Sequence, residues 1–243
     1  TARVNKQVGR YRWTICSLLF FATTINYLDR SVISLLKNDL EIRFHWTESD
    51  YSDIVIAFQV SYAIGMLIAG RFIDKVGTKV GYAISLALWS FASMGHALVK
   101  STIGFLIARS ALGISEAGNF PAAIKTTAEW FPKKERAYAT GIFNSGANIG
   151  AILAPLTVPF IVVKWGWQEA FIFTGAFGLL WLIFWFIFYE IPAKQKRLSK
   201  SEFDYIHSDA DESDNKPGNP ELTSDVEINK RVPWIKLLKF NKT

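Results

Sequence analysis

The sequence is poor in cysteine and histidine, the residues that most often build disulfides, metal sites and nucleophilic centres. It has one cysteine, Cys16, and three histidines, His45, His96 and His207, among 243 residues. A single cysteine excludes an intrachain disulfide, and we expect Cys16 to be a packing residue. No paired His and Glu at metal-ligand spacing and no cofactor motif occur, so we expect neither an enzyme nor a bound cofactor. The histidines, at or outside the ends of apolar runs, are interpreted as solvated groups.

Charge is scarce within the long apolar runs of the chain. Charged residues make up 20% and hydrophobic residues 50% of the sequence, but nearly all the charge falls in short clusters between apolar stretches. A soluble domain has no physical reason to segregate its residues in this way, whereas lipid supplies one. The formal charge of +6 flanks these stretches and is not gathered on one surface beside aromatic platforms, so nucleic-acid binding is not expected.

Six stretches are long enough to cross a bilayer, because a hydrocarbon core about 30 Å thick needs roughly 20 helical residues. The first is too long for a cleavable signal peptide. Gly146 and Gly150, four apart, predict a close approach of two helix backbones. The fold class is therefore an all-α membrane protein with six transmembrane helices, at residues 14–36, 52–73, 79–99, 102–124, 137–163 and 168–190.

Lysine and arginine are unevenly divided between alternate connections. One set of connections holds about fifteen of them and the other about four. Because cytoplasmic connections retain positive charge, the N-terminus and the segment after the sixth stretch are predicted to be cytoplasmic. We expect a multi-pass protein of the cell inner membrane.

This topology divides the chain into three segments. Residues 1–13 form a cytoplasmic tail, 14–190 the six-helix transmembrane domain and 191–243 a cytoplasmic linker. The linker turns polar after Pro192 and cannot bury enough apolar area to fold alone. Its end, from Trp234 to Leu238, is predicted to lie along the inner membrane face as an amphipathic helix. We expect a fragment, because the chain starts at a threonine and stops just after that stretch.

Four ionisable residues lie inside the predicted spans, where an unpaired charge costs several kcal/mol. With a rise of about 1.5 Å per residue, Asp29, Arg30 and Arg109 share a level about 10 Å below the outer edge, and Glu116 lies about 10 Å nearer the cytoplasm. Two cations against one anion attract an anionic substrate, and the planar fork of Arg suits a carboxylate. A carboxyl group shielded from water binds a proton more readily, so the set predicts proton and anion co-transport.

Polar side chains accompany these charges. Tyr27 shares the helical face of Arg30 three residues later, and Tyr62 lies at depth in the second span. Asn144 and Asn148 add amide groups that can bond hydroxyls. A structural alternative stays open for each charged residue, namely that Asp29 and Arg109 form a buried ion pair and the others satisfy neighbouring helices.

Several motifs resemble one family. The run from Gly70 through Asp74, Lys75 and Gly77 to Lys79 resembles the signature loop of the major facilitator superfamily, with Thr78 in place of the usual basic residue. Three runs are similar to the anion:cation symporter branch of that family: Asn26–Arg30, Arg109–Pro121 and Glu129–Arg136. Two more, Gly141–Asn148 and Ala154–Pro155, resemble the hexuronate transporters within this branch. The resemblance covers about residues 10–240.

The resemblance implies twelve helices in two halves around a cavity, each half built from two inverted three-helix repeats, with only the N-terminal half in this chain. It implies import of a sugar acid with protons, driven by the proton gradient, with the bilayer and the C-terminal half as further partners. Ala147 stands where some relatives carry an amide, which leaves the sugar acid open. The implied roles are substrate binding for Tyr27, Arg30 and Tyr62, proton coupling for Asp29 and Glu116 with Arg109 as partner, and conformational gating for Gly70, Asp74, Lys75 and Gly77.

Other functions remain as alternatives. An anion exchanger or a Na⁺-coupled carrier of the same fold would need the same buried charges. A non-transporting membrane sensor or scaffold would be expected to carry a signalling domain, and residues 191–243 show none.

Overall fold

The computed structural model describes residues 8–208 of the chain. The predicted amphipathic stretch from Trp234 to Leu238 lies outside this range. The described residues form helices and no strand. The α-helices are α1 (Tyr11–Leu35), α2 (Lys37–Phe44), α3 (Glu48–Val76), α4 (Thr78–Gly95), α5 (Thr102–Glu116), α6 (Asn119–Trp130), α7 (Lys133–Trp165), α8 (Trp167–Phe188) and α9 (Lys200–Ile206).

Three of the helices, α3, α7 and α8, are long and apolar enough to cross a membrane. The other spans expected from the sequence correspond to α1, to α4 and to α5 followed by α6, and for these the crossing stays a prediction. The bounds of α1 and α8 lie within three residues of the predicted ones. Helix α7 continues through Pro155 and Pro159.

The expected fourth helix, residues 102–124, is interrupted, which corrects the sequence prediction. Helix α5 ends at Glu116 and α6 begins at Asn119. Pro121, in the first turn of α6, has no N–H to donate to the carbonyl of Ala117, so one bond of the helical ladder is missing at the break. The break comes directly after the buried carboxylate of Glu116.

Two glycines turn the chain sharply between long helices. Gly77, between α3 and α4, has φ +92°, and Gly166, between α7 and α8, has φ +112°, a region that side chains disfavour. These turns lie at opposite ends of the bundle, which we call the Gly77 end and the Gly166 end. At the Gly166 end, Thr47 caps α3 by accepting from the backbone N–H of Asp50 while the Asp50 carboxylate accepts from the N–H of Thr47.

The helices pack in three principal pairs. Helix α1 lies along α7, α3 along α5, and α4 along α8. The first repeat consists of α1, α3 and α4. The second consists of the broken helix α5–α6, then α7 and then α8. When each helix is replaced by its equivalent in the other repeat, the α1–α7 pair becomes the α5–α3 pair, and the α4–α8 pair becomes itself. The two glycine turns occupy equivalent places at opposite ends. This pattern is that of two inverted three-helix repeats.

Small residues form the seams of two of these pairs. A Cβ on Gly146 would lie 2.4 Å from the Phe20 carbonyl oxygen, and one on Gly150 would lie 2.4 Å from the Thr24 carbonyl oxygen. The close approach predicted for these glycines is confirmed, and the partner is α1. In the equivalent pair, a Cβ on Gly113 would lie 2.6 Å from the Phe58 carbonyl oxygen.

The first part of the linker is folded onto the bundle. Glu202 of α9 is 1% exposed and accepts hydrogen bonds from the backbone N–H groups of Tyr11 and Arg12 at 3.1 and 3.0 Å. Its carboxylate thereby caps α1, whose own N-cap residue supplies no side-chain bond. Arg12 also bridges Glu202 and Glu135 at 3.2 and 2.9 Å. The linker therefore joins α1 and α7 at the Gly77 end.

Replacing Gly150 with Ala tests the seam between α1 and α7. The added Cβ meets backbone atoms that cannot yield, so we expect about 1–3 kcal/mol of destabilisation, measured as a lower midpoint of thermal unfolding in detergent. Gly141→Ala in the same helix is the control, because nothing lies within 4 Å of its Cβ position. Equal midpoints for the two variants would contradict the seam.

Candidate functional site

Helix α1 presents two consecutive charges to different neighbours. Successive helical residues point about 100° apart, so Asp29 and Arg30 cannot face the same helix. Asp29 contacts Ser93 of α4, while Arg30 contacts Glu116 of α5. The charges predicted to form one group are therefore divided by α1 into two polar sites.

The first site centres on an ion pair between Arg30 and Glu116. The Arg30 Nε donates to Glu116 Oε2 at 2.6 Å, and the Glu116 side chain is 0% exposed. Oε1 of Glu116 has no hydrogen-bond partner among the described residues. The two residues, expected at different levels, are joined because the long Arg30 side chain reaches Glu116. Arg30, expected to meet substrate, is here paired with protein.

Aromatic rings enclose the guanidinium of Arg30. Its Cζ lies 4.4 Å from the ring centroid of Tyr62, 5.0 Å from that of Tyr27 and 5.3 Å from that of Phe58. Contacts of this length between a guanidinium and a ring face are attractive, more so when desolvated. The Arg30 side chain keeps 22% of its surface exposed. The structure thus brings together Tyr27, Arg30 and Tyr62 as predicted, around a cation that a solute can reach.

Arg109 is less exposed to solvent than Arg30. It is 4% exposed, and its Nη2 donates to the Arg30 carbonyl oxygen at 3.5 Å, while Nε and Nη1 lack partners among the described residues. It forms no ion pair within 4.0 Å with Asp29 or Glu116. The alternative of an Asp29–Arg109 ion pair is therefore not realised, because Asp29 accepts from Ser93 instead. The role of Arg109 as a proton-coupling partner stays a prediction.

Phe58 was missed by the sequence reasoning. It is 5% exposed and its ring lies beneath both arginines, 5.3 Å from Arg30 Cζ and 4.9 Å from Arg109 Cζ. A shared aromatic face helps two cations lie close together in an apolar bundle. Among many phenylalanines in apolar stretches, no sequence signal distinguishes this one.

The second site holds Asp29 among hydroxyl groups. Asp29 is 0% exposed, its Oδ1 accepts from Ser93 Oγ at 3.0 Å, and Oδ2 has no partner among residues 8–208. Thr174 Oγ1 lies 3.4 Å from Ser93 Oγ. Ser93 and Thr174 were also missed, although hydroxyl residues within the third and sixth apolar stretches were a usable signal.

His96 is buried, which corrects its interpretation as a solvated residue. It is 0% exposed, its ring stacks on Phe171 at 4.8 Å, and Nδ1 lies 2.8 Å from the Ala92 carbonyl oxygen. The 3-10 turn His96–Leu98 that follows α4 directs the ring inward. His45 and His207 are exposed, as expected.

Asn144 and Asn148 lie on an exposed face of α7. Each lies two residues before a seam glycine, a rotation of about 200°, so the face opposite the seam carries both. Neither is hydrogen-bonded to the residues around Arg30 in the described part of the chain. Their part in substrate binding stays a prediction.

The signature loop is fastened to α6. Asp74 accepts from Lys125 Nζ at 2.8 Å, and the positive φ of Gly77 turns the chain directly after α3. Lys75 is exposed and Gly70 has open space around its Cβ position. The gating role of these four motif residues stays a prediction.

The loop continues into two further polar contacts at the Gly77 end. Thr78 Oγ1 and the Tyr189 hydroxyl donate to the two oxygens of Glu129, each at 2.6 Å. Lys79 Nζ donates to Glu190 at 2.8 Å, and this bond is the main cause that keeps the pKa of Glu190 below its usual range. Thr78, the departure from the motif, therefore has a partner of its own.

Comparison with known proteins gives matches along most of the chain. The family model of the Major Facilitator Superfamily matches residues 19–242. The galacturonate transporter of Dickeya chrysanthemi is 39% identical over 231 residues, which are 94% of this chain and 67% of that protein. The hexuronate transporter of Escherichia coli (strain K12) is 38% identical over 201 residues, which are 83% of this chain and 46% of that protein.

Solved structures share the fold at low identity. The inward open conformation of the xylose transporter XylE from E. coli aligns with a TM-score of 0.70 and 16% identity, and covers 85% of this chain and 57% of that one. At this identity the likeness shows the fold alone. The chain spans about half the length of most of the relatives it matches.

Breaking the ion pair from one side tests the geometry of the first site. Arg30→Met leaves the buried Glu116 without a countercharge, so we expect the free energy of unfolding to fall by about 3–5 kcal/mol. Adding Glu116→Gln removes the stranded charge and recovers most of the loss in thermal unfolding. Lys37→Met, which removes a cation from a solvent-exposed pair, is the control and should change little. A double variant no more stable than Arg30→Met contradicts the pairing.

Proposed function

Because the chain belongs to the major facilitator superfamily, we propose that it is the N-terminal half of a secondary transporter that imports a sugar acid, such as a hexuronate, together with protons. The family and the matched relatives are transporters and not enzymes. The observation that carries the proposal is the partly exposed guanidinium of Arg30, walled by Tyr27 and Tyr62 and bonded to the buried Glu116.

Arg30 and its aromatic walls suit a sugar acid. A guanidinium binds a carboxylate through two parallel charge-assisted bonds, and the faces of Tyr27 and Tyr62 offer apolar surface to a sugar ring. The exposed amides of Asn144 and Asn148 are available to bond hydroxyl groups. The matched relatives, a galacturonate and a hexuronate transporter, support a uronic acid as the substrate class.

Competition for Arg30 supplies a way to couple substrate to protons. An arriving carboxylate takes the guanidinium that Glu116 now binds at 2.6 Å. Glu116 is then left fully buried, and its other oxygen has no partner in residues 8–208. A buried carboxylate that loses its countercharge is strongly favoured to bind a proton. Substrate binding and proton uptake thus become linked at one residue.

Asp29 is the second proposed proton acceptor. Its carboxylate is fully buried and is neutralised by no ion pair in the described part of the chain. Neutral hydroxyl donors offset the free-energy cost of such a buried charge only in part. It lies across α1 from the substrate-facing Arg30. Protonation there would change how tightly α1 is tied to α4 and α8, and with it the balance between states that open to either side.

The proposed orientation puts the Gly77 end in the cytoplasm. This end carries the starts of α1 and α7, the folded part of the linker and the signature loop, where lysine and arginine are most frequent. Positive charge is retained on the cytoplasmic side, which supports an inner membrane location with an internal N-terminus. Alternating access then requires a second, C-terminal half.

Uptake into proteoliposomes tests the transport proposal. With the complete transporter that contains this chain, we expect labelled glucuronate or galacturonate to accumulate when the outside is made acidic, because protons then flow inward with the substrate. Liposomes without protein and liposomes without a pH gradient are the controls. Uptake that ignores the gradient would remove proton coupling, and no uptake of either acid would remove the substrate class.

Glu116→Gln separates substrate binding from proton coupling. The amide cannot be ionised, so we expect exchange of internal for external substrate to survive while accumulation driven by the pH gradient is lost. Glu48→Gln is the matched control, since its side chain is 82% exposed and should leave both activities near those of the unmodified protein. Gradient-driven accumulation equal to that of the unmodified protein would refute the role of Glu116.

A further inference from the structure

Four oxygen atoms from three helices, one of them from Asp29, form a cluster with Ser93 Oγ at its centre. They are Asp29 Oδ1 from α1, Ser93 Oγ from α4, and Thr174 Oγ1 and the Phe171 carbonyl oxygen from α8. Ser93 Oγ lies 3.0 Å from Asp29 Oδ1, 3.4 Å from Thr174 Oγ1 and 3.5 Å from the Phe171 carbonyl oxygen. Thr174 Oγ1 lies 3.3 Å from the same carbonyl oxygen. We call this set the oxygen cage.

The cage has one negative charge and is closed to solvent. Its four residues are between 0% and 1% exposed, and no lysine, arginine or histidine nitrogen lies within 4.0 Å of the Asp29 carboxylate in residues 8–208. The second oxygen, Oδ2, is also buried and without a partner there. An isolated charge in such a place is strongly disfavoured unless something neutralises it.

The spacing of the oxygens suits a small hard cation. Such ions take carboxylate, hydroxyl and carbonyl oxygens, and Ca²⁺, which has nearly the radius of Na⁺, bonds them at about 2.4 Å. Two ligands at that distance and at right angles are about 3.4 Å apart, close to the separations within the cage. One carboxylate balances a monovalent ion and leaves a divalent ion with excess charge. Membrane carriers use carbonyls near helix ends for Na⁺ in the same way.

We propose that the oxygen cage binds a sodium ion, which can replace the proton at Asp29 as the coupling ion. This deepens the proposed function, on which its part in transport rests, while the binding itself can be measured without transport. Arg109, whose positive charge acts on Asp29 from α5, opposes a cation in the cage, so we expect weak binding that saturates in the millimolar range. Complete burial means that the ion enters in another state of the transport cycle.

Thermal unfolding of the complete transporter in detergent tests the cage, with NaCl exchanged for choline chloride at constant ionic strength. We expect Na⁺ to raise the midpoint in a saturable way, because a ligand that binds only the folded state stabilises it, and K⁺, which is larger, to behave like choline. Asp29→Asn should abolish the shift, and Thr174→Val or Ser93→Ala should raise the half-saturating Na⁺ concentration about 10- to 100-fold.

Ser90→Ala is the matched control. Ser90 lies one helical turn before Ser93 and is 0% exposed, but its hydroxyl belongs to no contact in the cage, so its variant should respond to Na⁺ as the unmodified protein does. Equal midpoints in Na⁺ and choline, or a Na⁺ shift that persists in Asp29→Asn and Thr174→Val, would overturn the cage. If Asp29→Asn does not fold, the comparison of Thr174→Val with Ser90→Ala decides the matter.

The outcome is separable from that of the proposed function. A Na⁺ shift governed by the cage, in a protein that takes up no hexuronate, would support the ion site and overturn the proposed substrate. Proton-driven hexuronate uptake in a protein whose unfolding midpoint is the same in Na⁺ and in choline would support the proposed substrate and overturn the ion site. Both measurements use the same purified protein.

Discussion

The need to give every buried charge a partner governs the centre of this bundle. Hydrocarbon offers an ionised group neither water nor a hydrogen bond, so charges at depth persist only where protein satisfies them. Arg30 is paired with Glu116 and lies among aromatic faces, and Asp29 is satisfied in part by the Ser93 hydroxyl. Each solution uses neighbours on other helices. The same contacts that make the charges tolerable therefore also tie α1 to the rest of the bundle.

Helix α1 depends on two different kinds of contact. On the side of α7, Gly146 and Gly150 allow backbone atoms to meet, and such a seam is either closed or broken, because packed interfaces do not deform smoothly. On the sides of α4 and α5 the contacts are polar, and in the proposed mechanism they change with proton or ligand. The apolar seam, together with Glu202 capping α1, holds α1 while the polar contacts are exchanged.

Much of this arrangement could be predicted from the sequence. Hydrophobic runs and the glycines at residues 146 and 150 are local signals, and from them followed most of the helix positions and the close approach of α7 to another helix. That this helix is α1 did not follow. Which buried charge meets which did not follow. Arg30 and Glu116 are 86 residues apart, and their pairing depends on side-chain length and on the rotation of two helices. The burial of His96, at the end of a predicted span, depends on its stacking on Phe171 of another helix, which the local sequence does not indicate.

The break between α5 and α6 places Glu116 at the end of a helix. Helix α5 ends at Glu116 and α6 begins at Asn119, with Pro121 in its first turn, so the carboxylate lies in the last turn of a helix, where the dipole is negative. A negative end disfavours an ionised carboxylate and thereby increases the dependence of Glu116 on Arg30. In the proposed mechanism, substrate that draws Arg30 away leaves Glu116 with two reasons to take a proton, its burial and its place at a helix end. An unbroken helix at this point would weaken that response, which gives the proline a physical reason to follow the glutamate so closely.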